Sequence, residues 1–268
     1  MAERVQLYGL DAELLASSSR GDGRHQVLKI VRDGAPIVLK LYGRKRDWVR
    51  DFLRDVGHRF LVGKTGMTPA ARMRTERETL ELWLRHGFNV PRVLDVELPA
   101  EVPPLRLALE WIRGRSMRDL LSDPTVAVEA KRTALERAVR EWTRRHALAL
   151  QLREPRLVQA HATFGHVLVD GEMLATFDFE VVWKRRNLER LLQLELLGFL
   201  GSFGPWIPPD QLESLLDVVV AHYSPRERLV DAARSWRGRR DAADAAVLER
   251  LKAAIERAAK RAERRAAT

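Results

Sequence analysis

The stretch VQAHATFGHVLVDG, residues 158–171, sets two histidines, His161 and His166, ahead of the apolar run Val167, Leu168, Val169 and an Asp-Gly turn. A neutral imidazole accepts a proton from a hydroxyl, and its ordinary pKa of about 6.5 suits a general base near neutral pH. As a metal ligand the same ring prefers Mn²⁺, Zn²⁺ or other transition metals to Mg²⁺. Asp178 follows in EMLATFDFEVVW and offers the hard carboxylate oxygen that Mg²⁺ requires. His161, His166 and Asp178 are a weak candidate for a transition-metal site in their own right, since they lack a fourth ligand and any defined ligand spacing. A fourth residue of interest is Lys40, centred in the apolar run VLKLY of a chain with eight lysines against thirty-nine arginines. Where arginine is the ordinary basic residue, a lysine flanked by leucines points to a specific role. The alternative is an edge-strand lysine whose stem snorkels outward.

The elements that must hold these residues are readable from pattern. HQVLKIV and PIVLKLY are β-prone runs joined by RDGAP, whose Asp33-Gly34 signals an antiparallel hairpin. The preceding ASSSRGDG is small and polar, as a turn close to a ligand would be. Helical spacing runs over 47–60 and again over about 68–86, where Leu80, Trp83 and Leu84 share a side and Gly87 takes the C-terminal cap. RVLDVEL and LRLALEWI read as two more strands, separated by the rigid PAEVPP. Beyond GRSMRDLL the chain becomes helical. Val128, Leu135, Val139, Trp142 and Leu148 form one buried stripe over 127–152, and Leu188, Leu191, Leu192, Leu196 and Phe199 form another over 187–203. Ser224-Pro225-Arg226-Glu227 is a capping box that opens a further helix. The tail offers Leu248, Leu251 and Ile255 for packing and no large apolar residue after them, so its end is expected to be a solvated, fraying helix. The fold class expected is α+β, with a β-rich N-terminal lobe over 1–112 and a helical C-terminal lobe over 113–268.

With 268 residues, 46% of them hydrophobic, the chain can bury a large core. It contains no cysteine, which excludes disulfides and thiolate metal sites and suits a reducing compartment. The N-terminus carries acids and no apolar core of signal-peptide length, and the apolar runs are too short to span a bilayer. A cytoplasmic location is the expectation. The formal charge of +10 favours phosphorylated ligands or contact with an anionic membrane surface. No basic block interleaved with aromatics argues for a nucleic-acid groove. The basic clusters GRKR at 43–46 and WKRR at 183–186 are short and separated. VGKTG at 62–66 imitates the end of a phosphate-binding P-loop, but Gly57 lies six residues before Gly63 where the motif needs five.

Four stretches in their order resemble the protein-kinase-like fold in its small-molecule and atypical branches: aminoglycoside phosphotransferases, lipopolysaccharide core sugar kinases and Bud32-like kinases. The resemblance spans about Leu14 to Glu195. In VLKLY, Lys40 looks like the strand lysine that holds the α- and β-phosphates of ATP. RMRTERETLELWLRHGFNVPRVLDVE is similar to the helix whose glutamate pairs with that lysine; counting back from Gly87 selects Glu76, with Glu78 as fallback. LALEWIRGRSMRDLL looks like the hinge, and the resemblance implies that backbone groups from Glu110 to Ile112 meet the adenine edge. Asp178, in Asp-Phe-Glu, resembles the acid of the Asp-Phe-Gly motif that binds Mg²⁺ or Mn²⁺. Whether Glu180 has a role of its own or only replaces a glycine stays open.

The catalytic loop departs from this pattern. Active members carry His-Gly-Asp-x-x-x-x-Asn ahead of the strand, and Gln159, Ala160, His161 and His166 stand on those four named positions. The acid that orients the substrate hydroxyl has become His161, and the second metal ligand has become His166. The resemblance therefore implies an ATP-binding protein with a degraded loop, a pseudokinase or very weak phosphotransferase. The alternatives are a competent phosphotransferase that uses His161 on a sugar, lipid-linked sugar or other small hydroxyl substrate, and a basic module that binds nucleic acid or a membrane surface.

Overall fold

The computed structural model describes residues 3–18, 25–43, 64, 68–184, 187–203, 207–235, 249, 252–261 and 264. The helix expected over 47–60, most of both basic clusters, the glycines of the P-loop imitation, and Leu248 and Leu251 lie outside them. The chain clusters into two compact units, Met1–Ile112 with Ala175–Arg185, and Arg113–Leu174 with Arg186–Thr268. The segment that carries Asp178 thus belongs to the first unit.

That unit is built on an antiparallel sheet of β1 (Glu3–Leu7), β2 (Leu10–Ser18), β3 (His25–Arg32), β4 (Ala35–Leu41), β5 (Val93–Leu94) and β6 (Arg106–Glu110), in the spatial order β1-β2-β3-β4-β6-β5. The β3–β4 hairpin turns at Asp33 and Gly34, both with positive φ, 50° and 76°, as a two-residue turn matched to strand twist requires. Tyr8 and Gly9 make the same turn between β1 and β2, with φ of 54° and 70°. Side chains alternate across the sheet, so Leu28 and Ile30 of β3 and Ile37, Leu39 and Leu41 of β4 form one core. Lys40 consequently points to the opposite face. It pairs with Val27 on one side and Leu107 on the other, so β4 is a central strand. The edge-strand alternative for Lys40 does not hold, because strands flank it on both sides. The strand expected over 92–98 shrinks to β5.

Among the described residues one long helix, α1 (Pro69–Arg85), accompanies the sheet. Thr68 caps it by accepting from the Ala71 backbone N–H, Pro sits in its first turn, and Gly87 follows its end at φ 71°. Arg72, Glu76, Leu80 and Trp83 are all buried and recur at helical spacing along one face.

The second unit opens with β7 (Arg115–Ser116) and α2 (Met117–Ser122), followed by α3 (Val128–Leu152). Then come β8 (Val167–Asp170), β9 (Met173–Thr176), of which only Met173 and Leu174 belong to this unit, α4 (Leu188–Gly201), α5 (Pro209–His222) and α6 (Arg226–Ser235). The aromatic centre of its core is Trp142 of α3 stacked on Phe199 of α4, ring centroids 4.2 Å apart, with Phe164 against both. Residues 252–261 are helical and packed, contrary to the fraying end expected from sequence. Ala254, Ile255, Ala258 and Ala259 are buried, and Arg257 and Arg261 pair with Glu213 and Asp217 of α5. Alanines supply the contact where larger residues are missing. No helix among the described residues is long and apolar enough to cross a membrane.

Gly114 fixes the approach of β7 to β8. Its φ is 118°, and a Cβ there would stand 2.3 Å from the Val169 carbonyl oxygen. Gly114→Ala adds backbone strain to a clash with main chain and is expected to lower stability by roughly 2 to 3 kcal/mol, read as a shift of the urea midpoint.

Candidate functional site

The geometry of the site begins with β4 and α1. From the face of β4 opposite the core, the Lys40 Nζ donates to both carboxylate oxygens of Glu76, at 2.9 and 2.7 Å. Tyr42, two residues further on and therefore on the same side of the chain, donates its hydroxyl to Glu76 Oε2 at 2.5 Å. Glu78, the other acid considered on this helix, is exposed. Helical geometry explains the choice, since Glu76 lies on the buried stripe with Arg72 and Trp83 and Glu78 does not.

The second arm arrives from Ala175–Arg185. The Thr176 backbone N–H donates to the Asn89 carbonyl at 3.0 Å, and Phe179 is buried against Trp83 of α1, ring centroids 4.6 Å apart. Anchored by Phe179, the two acids beside it fall around Lys40. Asp178 Oδ1 lies 3.5 Å from Lys40 Nζ and Glu180 Oε1 lies 3.0 Å from it. Asp178 adopts φ 71°, a left-handed conformation that a non-glycine residue holds only when its surroundings impose it.

Glu180 is a full member of the cluster. It is buried, and Arg72 Nη1 donates to its Oε2 at 2.7 Å while His25 Nε2 approaches its Oε1 at 2.8 Å. The other arm of Arg72 donates to the Gly43 carbonyl at 2.6 Å. Neither Arg72 nor His25 was marked by the sequence pattern. Their only sequence signal is that Arg72 stands one helical turn before Glu76, on the same face.

Electrostatics follow from this crowding. Burial opposes the charge on Lys40, but the carboxylates of Glu76, Glu180 and Asp178 outweigh it and hold the ammonium above the ordinary lysine range. Burial pushes the Glu76 carboxyl up, Lys40 pulls it down, and Glu180 and Asp178 push it up again, so it ends above the usual value. Burial, and then the neighbouring Glu76 carboxylate, push the Tyr42 phenol well up. Tyr42 is therefore a donor to Glu76 throughout the physiological range.

Among the described residues no group of three or more His, Asp or Glu side chains is arranged to hold a metal ion. The chemistry of the donor set nevertheless fits Mg²⁺ or Mn²⁺ bound with a nucleotide, because such ions take one or two protein carboxylates and complete their shell with phosphates and water. Asp178, about a quarter exposed with a side-chain value of 28%, is the carboxylate suited to this. Glu180 is already engaged by two cationic side chains and His25.

Glu110 ends β6 and is paired with Arg92, whose Nε and Nη2 each donate to it at 3.0 Å; Ile112 closes the first stretch of the unit. The Glu110 carboxylate faces Arg92, and the Glu110 backbone N–H donates to the Arg92 carbonyl at 2.8 Å.

His161 and His166 belong to the second unit, where their loop is heavily braced. Glu195 of α4 accepts from the Gln159 backbone N–H at 3.1 Å, and Arg145 of α3 donates to the Leu157 carbonyl at 2.5 Å. Arg145 and Glu195 form a fully buried bidentate pair, and His146 sits between Glu195 and the Tyr223 hydroxyl. Gly198 lets α4 approach the loop, since a Cβ on it would stand 2.6 Å from the Ala162 carbonyl oxygen. His161 is exposed, and the His166 Nδ1 donates to the His161 carbonyl at 2.9 Å. A carbonyl only accepts, so Nδ1 carries the proton in this contact.

The chain is similar to solved structures. One is WaaP in complex with acyl carrier protein, with 11% identity and a TM-score of 0.47 over 90% of this chain and 88% of that one. Another is a Ralstonia eutropha protein provisionally described as an aminoglycoside phosphotransferase, with 9% identity and a TM-score of 0.35 over 95% of this chain and 93% of that one. No protein-family model and no curated protein matches the sequence.

Proposed function

We infer that the protein is a kinase-like nucleotide-binding protein whose catalytic loop is degraded, a pseudokinase or a very weak phosphotransferase. The observation that carries this reading is the bidentate Lys40–Glu76 pair with the Asp178 carboxylate 3.5 Å from the same ammonium. A lysine held by one acid and facing a second is suited to the α- and β-phosphates of ATP, and Asp178 to the Mg²⁺ or Mn²⁺ that neutralises them. When bound, that ion supplies charge neutralisation at the phosphates. The chain's own residues position: Glu76 aims Lys40, Tyr42 holds Glu76, and the backbone of 110–112 faces the base. Phosphoryl transfer depends chiefly on positioning and charge, so these parts support nucleotide binding even where the loop carries His161 and His166 instead of Asp and Asn. An exposed imidazole at 161 can accept a proton from a small hydroxyl or lipid-linked acceptor, which allows slow transfer.

The test is a thermal-shift titration with ATP and ADP, each with Mg²⁺, Mn²⁺ or no metal, alongside an assay of ATP loss. A raised midpoint with metal-nucleotide that Asp178→Ala diminishes is the expected result. Turnover is expected to be slow or absent. A midpoint unmoved in every condition would refute nucleotide binding.

A further inference from the structure

We propose that Glu180 is an internal competitor for the phosphate-binding lysine, a carboxylate that a nucleotide must displace from Lys40 and that makes the site discriminate against nucleotide without metal. The inference rests on the nucleotide-binding reading above and concerns the same site. Its basis is the way the cluster is wired. Lys40 Nζ has three hydrogens, and the carboxylates of Glu76, Glu180 and Asp178 surround it within 3.5 Å. A phosphate oxygen reaches the ammonium only where one of these oxygens gives way.

Of the three, Glu180 is built to let go. Glu76 has Lys40 on both oxygens and a Tyr42 hydroxyl on one of them, so its position depends on the lysine. Glu180 has an independent set of partners. Arg72 Nη1 holds its Oε2 at 2.7 Å and His25 Nε2 holds its Oε1 at 2.8 Å. Released from Lys40, its charge stays compensated by a guanidinium that is itself buried and fixed to the Gly43 carbonyl. Arg72 and Glu76 stand one turn apart on α1, so one helix face holds both the acid that aims Lys40 and the cation that retains its competitor.

The charge count gives the arrangement a direction. Lys40 and Arg72 are opposed by Glu76, Asp178 and Glu180, and the cluster is one negative charge in excess when His25 is neutral. A metal-free triphosphate adds like charge beside Glu180, and like charges brought together in a binding site oppose association. Metal-bound nucleotide brings less negative charge and meets less opposition. Glu180 thus sets a preference for the metal complex from a position that touches Lys40 and contains no metal ligand of its own.

Isothermal titration of the wild type and of Glu180→Gln with metal-free ATP, Mg-ATP and tripolyphosphate tests this. The amide keeps the size of the side chain and removes its charge. The expected result is about tenfold tighter binding of metal-free ATP and tripolyphosphate by the variant, with a smaller gain for Mg-ATP, so that the preference for the metal complex narrows. A variant that gains nothing, or gains equally for both forms, overturns the proposal while the nucleotide-binding reading stands. If neither protein binds any of the three ligands, the nucleotide-binding reading fails and this one with it. Should Glu180→Gln not fold because Arg72 is left uncompensated, Arg72→Gln with Glu180→Gln removes both charges and is held to the same two outcomes.

Discussion

Lys40→Met is expected to lower the stability of the protein by roughly 3 to 5 kcal/mol, because it leaves the buried carboxylate of Glu76 without its cation. Glu76 is 2% exposed and both its oxygens are turned to Lys40. Burial already pushes that carboxyl up, and removing Lys40 takes away the largest influence that pulls it down. The diagnostic measurement is a double-mutant cycle. Glu76→Gln alone strands the lysine between Glu180 and Asp178, whereas Lys40→Met with Glu76→Gln removes the pair together. Urea denaturation of the four proteins should show the double variant less destabilised than the sum of the singles by about 1 to 3 kcal/mol. Strict additivity would mean that the 2.7 Å contact contributes no coupling and that Lys40 is held by other means.

The second large effect concerns acid. Burial would raise the Glu195 carboxyl, but Arg145 and then His146 overcome it and hold its pKa at about 2, below the ordinary 4.5. A carboxylate whose pKa is depressed by folding contributes stability that is fully present above its unfolded pKa and is lost as pH falls towards the folded one. Glu195 therefore supports the fold above about pH 4.5 and withdraws that support between there and about pH 2, by an amount on the order of 3 kcal/mol. His146 acts in the same direction over a higher range. Burial lowers its pKa more than Glu195 raises it, so the folded protein resists the proton that the unfolded chain accepts below about 6.5. Glu195→Gln is expected to lose roughly 3 to 5 kcal/mol at neutral pH, since Arg145 loses the buried carboxylate that holds both arms of its guanidinium. Its stability should also fall less steeply below pH 4.5, where Asp123, Glu110 and Glu136 still titrate, while the slope between 6.5 and 4.5 persists. Urea midpoints measured across pH 2 to 7 read both parts, and an unchanged acid limb in the variant would assign acid sensitivity elsewhere.

What the residue pattern revealed, and what it hid, has physical reasons. Lys40 stood out because a single ammonium among leucines breaks the alternation of an apolar strand, and Glu76 could be located by counting turns back from the glycine that ends its helix. Asp178 was visible because an apolar run preceded it. The role of Glu180 was hidden because its partner Arg72 lies 108 residues away and is one of thirty-nine arginines. His25 and Tyr42 join the cluster through the pleat of β3 and β4, which fixes direction only once strand register is known. The first hairpin was silent for a different reason. Its turn uses Tyr8-Gly9, which lacks the Asn-Gly or Asp-Gly signature that marked the next one. At the other end, the packed helix over 252–261 was missed because small alanines fill a close contact without the large apolar residues that signal a stripe.

The two-part composition of the first unit bears on how the protein is made. As the chain leaves the ribosome, Lys40, Arg72, Glu76 and Trp83 emerge early. Phe179 and Glu180 follow only after the whole of 113–174, since Ala175–Arg185 completes the unit that Met1–Ile112 began. During that interval Arg72 lacks its Glu180 partner and Trp83 its Phe179 contact. The N-terminal sheet can form its strand pairs at once, because every strand in it precedes residue 112. Its ionic centre cannot close until the second unit's chain has been translated through residue 174. Order of synthesis and order of completion are therefore different in this protein, and the last segment to join the first unit is the one that carries two of the three acids around Lys40.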